Sequence, residues 1–423
     1  MRMGTGDSKK IALLTLGCKL NYAESATYER GFRAAGYRVV PWNEAADIYL
    51  VNTCSVTATS DAKSRNLIRK VHRINPDARI VVTGCSAELR GRELEKLPGV
   101  WRVFGCREKS RVVADTLAGE RAARPAFAES APPVFGAYSC GGRTRSFLKV
   151  QDGCDNRCAY CTVPLARGGS RNIPIRTCVA QAEEIAARGV REIVLTGVNT
   201  GDFGKTTGET FLQLLQALNA VEGIQRYRIS SIEPNLLTDD IIDWIASGTK
   251  FQPHFHIPLQ SGCDEILRAM GRRYDTALFA SRIARIRQAM EGDGKPPVFF
   301  GIDVMAGLPG ESEAQFAQTL AFLTRIRPAY IHAFPYSRRP GTVAASLPGQ
   351  VDEGEKKRRV AALEDLCRRL HADFVASCRG MRMDVLFEST VRGGKMEGYT
   401  GNYIRVVRDH DPALVGKLTE MEI

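Results

Sequence analysis

The chain has 423 residues, of which 44% are hydrophobic, 25% charged and 8% aromatic, a balance that excludes wholesale disorder and fibrous repeats. Lys and Arg number 59 against 47 Asp and Glu, and the formal charge of +12 suits a polyanionic partner. No run approaches the roughly 20 apolar residues of a membrane span, and the start MRMGTGDSKK lacks the apolar core of a secretory signal. A cytoplasmic protein with no membrane partner is expected. Its twelve cysteines then point to metal or catalysis, because the cytosol keeps thiols reduced.

Over residues 1–110, apolar runs of strand length (11–16, 48–52, 80–83 and 103–104) alternate with helical stretches such as 62–73. This rhythm predicts an α/β domain with a parallel sheet and helices on both faces. Cys18, Cys54 and Cys85 each follow a strand, in LTLGCKLN, LVNTCSVT and VVTGCSAE. Parallel strands share one C-terminal edge, where ligands bind, so the three thiols are expected to converge. A single cysteine here would read as a small buried hydrophobe, and three at equivalent strand ends read as a site. Cys106, in VFGCREK, also follows a strand and leaves a fourth ligand open.

Residues 111–142 hold ARPAFAESAPPVFG and read as a linker. Cys154, Cys158 and Cys161 follow it in FLKVQDGCDNRCAYCTVP, a CxxxCxxC loop after a strand. Three soft ligands this close suit one cuboidal iron–sulfur cluster with one iron left open. A structural zinc site would need a fourth ligand, and no His follows at finger spacing.

This loop, with Tyr160 before its last cysteine, resembles the signature of the radical S-adenosylmethionine (SAM) superfamily. The resemblance implies a partial (β/α)6 barrel over residues 143–378, in which the open iron binds SAM. Six strand-like runs agree: the one before Cys154, then EIVLTGVNTG, YRISSIEP, FHIPLQSG, VFFGIDVMAGLPGE and YIHAFPYS. Chemistry in such barrels sits at the C-terminal strand edge. The residues implied to contact SAM are therefore Tyr160, Gly197, Asn199, Ser231 and Glu233, with Gly307 and Gly310 beside adenine. His256 and Gln260, in HIPLQSG, are candidates for substrate contact.

Residues 352–378 read as one helix with an apolar stripe and a basic face of Lys356, Lys357, Arg358, Arg359, Arg368 and Arg369. Residues 379–423 change to short strands joined by GG and DP turns. GGKMEGYTGNYIRV resembles the TRAM domain, a small RNA-binding β-barrel, and implies tRNA contacts from Lys395, Tyr399, Tyr403 and Arg405. Forty residues make a marginal core alone, so this unit is expected to dock on the barrel. Arg167 and Arg171, in LARGGSR, are further candidates for phosphate contact.

The whole order resembles the methylthiotransferase family. TLGCKLNYAES resembles its threonylcarbamoyladenosine tRNA branch, where the isopentenyladenosine branch typically has GCQMN and the ribosomal-protein branch GCPKN. The resemblance implies two 4Fe-4S clusters: Cys154, Cys158 and Cys161 hold the one that cleaves SAM, and Cys18, Cys54 and Cys85 hold an auxiliary one that carries sulfur. SAM then serves as radical source and as methyl donor. The implied reaction converts N6-threonylcarbamoyladenosine at position 37, beside the anticodon, to its 2-methylthio derivative through a 5′-deoxyadenosyl radical. The implied partners are a tRNA anticodon stem-loop and a low-potential electron donor, with the enzyme a monomer. The alternatives are the same chemistry on isopentenyladenosine tRNA or a ribosomal protein aspartate, and a non-catalytic RNA-binding iron–sulfur protein.

Overall fold

The computed structural model describes residues 8–119, 134–140, 144–292 and 294–423. They divide into two compact units. The first draws on Met1–Ser139, Asp152–Asp155 and Thr162–Gly169; the second on Cys140–Gln151, Asn156–Cys161 and Ser170–Ile423.

The first unit contains strands β1 (Lys10–Thr15), β2 (Arg38–Val39), β3 (Ile48–Thr53), β4 (Arg79–Gly84) and β5 (Val100–Val103). All pair in parallel, in the order β2-β1-β3-β4-β5. Strand periodicity sends alternate residues to opposite faces. Ala12, Leu14, Tyr49 and Val51 accordingly pack with Ile68 and Val71 of α2 (Ala58–Ile74, after α1) and Ala87 and Leu94 of α3 (Cys85–Leu94). On the other face Ile11, Ile48 and Leu50 pack with Tyr28 and Phe32 of α1 (Lys19–Ala34) and Val112 of α4 (Val112–Ala118). The sheet with two helical faces is as the sequence predicts; the two-residue edge strand β2 is an addition. Helix α4 replaces what reads from sequence as the start of the linker, because Val112 and Thr116 are buried on the sheet. The rest of that linker reading falls partly on residues 120–133 and 141–143, outside the described residues.

The second unit is built on six parallel strands in the order β13-β12-β11-β10-β9-β6, matching the six expected segments. They are β6 (Arg145–Lys149), β9 (Glu192–Thr196), β10 (Arg226–Ile229), β11 (Phe251–Gln260), β12 (Phe299–Ala306) and β13 (Tyr330–Pro335). Two-residue strands β7 (Gln151–Asp152) and β8 (Arg171–Asn172) flank the cysteine-triplet loop. Helices fill the connections: α6 (Ile175–Ala187), α7 (Phe211–Asn219), α8 (Asp239–Ala246), α9 (Asp264–Ala269), α10 (Thr276–Met290) and α11 (Glu313–Ile326). Capping boxes Thr210/Gln213 and Ser312/Gln315 fix the starts of α7 and α11.

Helix α12 (Glu353–Ala376) confirms the long C-terminal helix, but its basic face is partly spent within the protein. Arg359 is buried against Glu311 at 2.8 Å, and buried Lys356 pairs with Glu353 at 2.7 Å. The last four strands, β14 (Arg382–Arg392), β15 (Lys395–Thr400), β16 (Arg405–Asp409) and β17 (Leu418–Glu422), form a curled antiparallel sheet in the order β16-β15-β14-β17.

This sheet docks on the barrel, as its small core requires. Arg228, from β10, donates to the carbonyls of Gly401 (2.7 Å) and Thr400 (2.8 Å), and Arg226 donates to that of Tyr399 (3.1 Å). Behind them the fully buried Glu192 pairs with Arg228 at 2.8 Å. Burial raises the carboxyl's pKa, yet Arg228, Arg145 and Arg226 together hold it below the usual range.

Candidate active site

In the first unit the topology does what the motif spacing predicts. Strands β1, β3 and β4 are adjacent. Cys18 caps α1 after β1, Cys54 directly follows β3, and Cys85 opens α3 after β4. All three therefore stand at one C-terminal edge. Cys54 is buried, Cys85 half-buried and Cys18 exposed. Burial, foremost, raises the Cys54 thiol. Cys85 is instead held below the ordinary thiol range, first by a hydrogen bond from Cys106, then by Arg167 and Lys109. The same hydrogen bond with Cys85, and burial, raise the Cys106 thiol. Cys106, buried beyond β5, thus neighbours Cys85 at the same edge, and its N–H donates to Glu88 Oε2 at 2.7 Å. Three soft thiol donors at one sheet edge fit an iron–sulfur cluster.

Arg167 is corrected by the structure. The sequence predicts a phosphate contact, but the side chain is only 3% exposed and saturated by Asp152, Glu24, Asn21 and Cys85. Helix α5 (Val163–Arg167) packs on α3 and turns this side chain inward. Arg171 is half-buried in β8.

In the second unit, Arg272 is the residue that sequence reasoning missed. Its Nη1 lies 3.1 Å from Cys158 Sγ and 3.2 Å from the Tyr160 hydroxyl; its Nη2 lies 2.6 Å from Glu233 Oε1. Tyr274 fixes the guanidinium from behind, accepting at 2.8 Å and donating in turn to the Pro258 carbonyl. Arg272 lies in MGRRY, a stretch with no ligand spacing or strand-end position to mark it. Cys161, half-buried, closes the same loop with its N–H on the Cys158 carbonyl at 3.0 Å.

Of the seven expected SAM-contact residues, Tyr160, Asn199 and Glu233 are tied to this hub. Glu233 also accepts from Asn156 (2.8 Å) and Asn199 (3.4 Å), so its carboxylate is oriented by three donors. Gln151, another unexpected member, accepts from the N–H groups of Val198 (2.8 Å) and Asn199 (3.1 Å) and so shapes the loop containing Gly197. Ser231 is half-buried, its carbonyl taken by Thr200. Gly307 has a nearer reason to be glycine than adenine: a Cβ there would lie 2.3 Å from Lys356 Cγ, and its φ is +75°. Gly310 is exposed, its N–H bonded to the Gly349 carbonyl at 2.9 Å.

His256 Nε2 is 2.7 Å from Asp303 Oδ1, and the His332 ring lies 5.3 Å away. Gln260 follows on the same strand with φ +71°, where the β11–β12 register shifts. A non-glycine residue in that region is strained and is held there by its surroundings.

The small sheet divides the RNA candidates. Lys395 and Arg405 are exposed, paired at 2.7 Å with Asp409 and at 2.5 Å with Glu397. Tyr403 is a correction: it does not stand free to stack on a base. Its ring packs 4.8 Å from His254 and 5.7 Å from Phe299, and its hydroxyl accepts from Arg145 at 2.9 Å. Tyr399 is half-buried against it at 5.0 Å, with the Arg145 guanidinium 4.8 Å over its ring. Both tyrosines belong to the docking surface between sheet and barrel.

Residues 10–105 match the model of "Uncharacterized protein family UPF0004", and residues 148–323 that of the "Radical SAM superfamily". The chain is 36% identical to the threonylcarbamoyladenosine tRNA methylthiotransferase MtaB of Bacillus subtilis (strain 168), covering 98% of this chain and 93% of that one. The MtaB of Aquifex aeolicus (strain VF5) is 35% identical, with 98% and 100% covered. The tRNA-2-methylthio-N(6)-dimethylallyladenosine synthase of Geobacter metallireducens is 33% identical, with 99% and 96% covered. In fold, the chain is similar to the radical SAM methyltransferase TsrM from Kitasatospora setae, with a TM-score of 0.58 at 14% identity over 80% of this chain and 74% of that one. Full-length similarity at this level, on a parallel-sheet unit and a six-stranded barrel that both carry cysteines at strand ends, leads to one conclusion: the chain is an enzyme of the methylthiotransferase family of radical SAM transferases.

Proposed function

We propose that this enzyme adds a methylthio group to N6-threonylcarbamoyladenosine at position 37 of tRNA. The observation that carries the reading is near-full-length identity of 35–36% to relatives of that name, together with the TLGCKLN sequence at Cys18. Relatives named for dimethylallyladenosine at 33% make that base the second reading. Family membership removes the non-catalytic binder.

Cys154, Cys158 and Cys161 would hold a 4Fe-4S cluster and SAM beside it, and Cys18, Cys54 and Cys85 a second cluster. When bound, these groups supply one-electron cleavage of SAM to a carbon radical, a sulfur and a methyl group, which an inert adenine C2–H demands. The chain's own residues orient and shield. Arg272 holds Tyr160 and Glu233 in one hydrogen-bonded frame beside Cys158. Gln151 fixes the loop after β9, where SAM is expected. Exposed Lys395 and Arg405, with the +12 overall charge, suit the phosphates of an anticodon stem-loop.

The deciding experiment is nucleoside analysis of tRNA from a deletion strain. Loss of 2-methylthio-threonylcarbamoyladenosine, restored by the gene, supports the reading. Its persistence with loss of the dimethylallyl counterpart selects the second.

A further inference from the structure

Arg167 connects two cysteine loops that sequence keeps apart. Its Nε donates to Cys85 Sγ at 3.3 Å, and its Nη2 to Asn21 Oδ1 at 2.7 Å. Its Nη1 reaches Asp152 Oδ1 at 2.7 Å and Glu24 Oε1 at 3.4 Å. The second Glu24 oxygen takes Lys109 Nζ at 2.6 Å. The neighbouring segment is equally constrained. The Cys154 N–H donates to the carbonyl of Gly168, next to Arg167, at 3.0 Å. Gly153 turns with φ +74° where a Cβ would stand 2.0 Å from the Gly169 carbonyl oxygen. One guanidinium is thus fastened to Cys85 and to the turn that presents Cys154.

The charges sharpen the point. Glu24 is 0%, Lys109 1%, Arg167 3% and Asp152 4% exposed. Two cations and two carboxylates interlock here, and the Arg167 Nε–H goes to the Cys85 sulfur. Burying such a network carries a large desolvation cost and is weak evidence for stability. Its placement against a thiol is the more informative feature. Hydrogen bonds and positive charge at a cluster's ligand sulfur stabilise the reduced, more negative state and raise its potential.

We propose that Arg167 is a positioning residue that sets the reduction potential of the cluster on Cys18, Cys54 and Cys85, and couples it to the Cys154 turn through Asp152. This rests on the two-cluster reading above. Arg167→Lys keeps the charge but loses the fork; Arg167→Gln loses both. Asp152→Asn never touches Cys85, and it removes a negative charge that compensates Arg167.

The test is a redox titration followed by electron paramagnetic resonance on the anaerobically reconstituted full chain, with iron and sulfide measured in parallel. The signal that survives in Cys158→Ala identifies the auxiliary cluster. Its midpoint should fall in Arg167→Lys, fall further in Arg167→Gln, and rise in Asp152→Asn. Opposite shifts from two residues on the same bond are not produced by loosened packing. Should Arg167→Gln fail to assemble, Arg167→Lys and Asp152→Asn still decide the sign. A wild-type chain with one cluster overturns the two-cluster reading itself. Two clusters with an unmoved auxiliary midpoint, or shifts of the same sign in Arg167→Lys and Asp152→Asn, overturn the role of Arg167.

Discussion

The guanidinium of Arg272 stands 3.1 Å from the sulfur of Cys158 and 2.6 Å from the carboxylate of Glu233. One side chain on the loop after α9 therefore joins a cysteine of the triplet motif to the loop that follows β10. Such charge-assisted hydrogen bonds contribute about 1.5–3 kcal/mol each, and about 1.4 kcal/mol is tenfold in rate. Arg272→Ala should lower anaerobic 5′-deoxyadenosine formation roughly 10- to 100-fold, measured by chromatography. Arg272→Lys should recover only part, because a point charge cannot serve Cys158, Tyr160 and Glu233 together. Unchanged cleavage in Arg272→Ala would remove Arg272 from the site.

The cysteine sets should separate by function. Replacing Cys18, Cys54 or Cys85 with Ala should abolish methylthio transfer while 5′-deoxyadenosine still forms. Cys158→Ala should abolish both. Cys106→Ala should retain iron, because Cys106 lies beyond β5 as a hydrogen-bond partner of Cys85, outside the set at the ends of β1, β3 and β4. Loss of iron in Cys106→Ala equal to that in Cys85→Ala would make Cys106 a ligand.

The docking of the small sheet should be pH-sensitive through Glu192. Its folded pKa lies below the unfolded value, so its contribution is complete above the unfolded carboxylate pKa of about 4.3. It is lost as pH falls through the folded pKa. Glu192→Gln leaves Arg228 buried without its charge partner, a change that costs about 3–5 kcal/mol. Thermal scans should show a lower Tm for Glu192→Gln at neutral pH and a smaller difference from wild type as pH falls below about 4. A constant difference would contradict the linkage.

Tyr403 and Lys395 should fail differently. Tyr403→Leu should lower Tm, because its ring and hydroxyl hold the sheet to the barrel. The double substitution Lys395→Ala with Arg405→Ala should leave Tm nearly unchanged. It should weaken tRNA binding and make its salt dependence shallower, by a slope of about 0.9 or less for each phosphate no longer neutralised. Filter binding at several salt concentrations reads both effects. Reversal of this pattern would return Tyr403 to the RNA surface.

Sequence alone determined the parallel sheet, the six barrel strands, the long C-terminal helix and the cysteine positions. Each of these is a local signal: apolar period, glycine punctuation, or a ligand spacing confined to a few residues. The convergence of Cys18, Cys54 and Cys85 on one edge was also legible, because parallel strands order their ends in only one way. Only the tertiary structure decided the charged and aromatic residues. Arg167, Lys356, Arg359 and Tyr403 look like surface in sequence and are taken up inside, while Arg272, outside any motif, and Gln151, just ahead of the cysteine triplet, organise the site. A side chain's charge is written in the sequence, but its partner lies tens or hundreds of residues away. Whether an arginine meets solvent, phosphate or a buried thiol is settled only when packing brings that partner within hydrogen-bond reach.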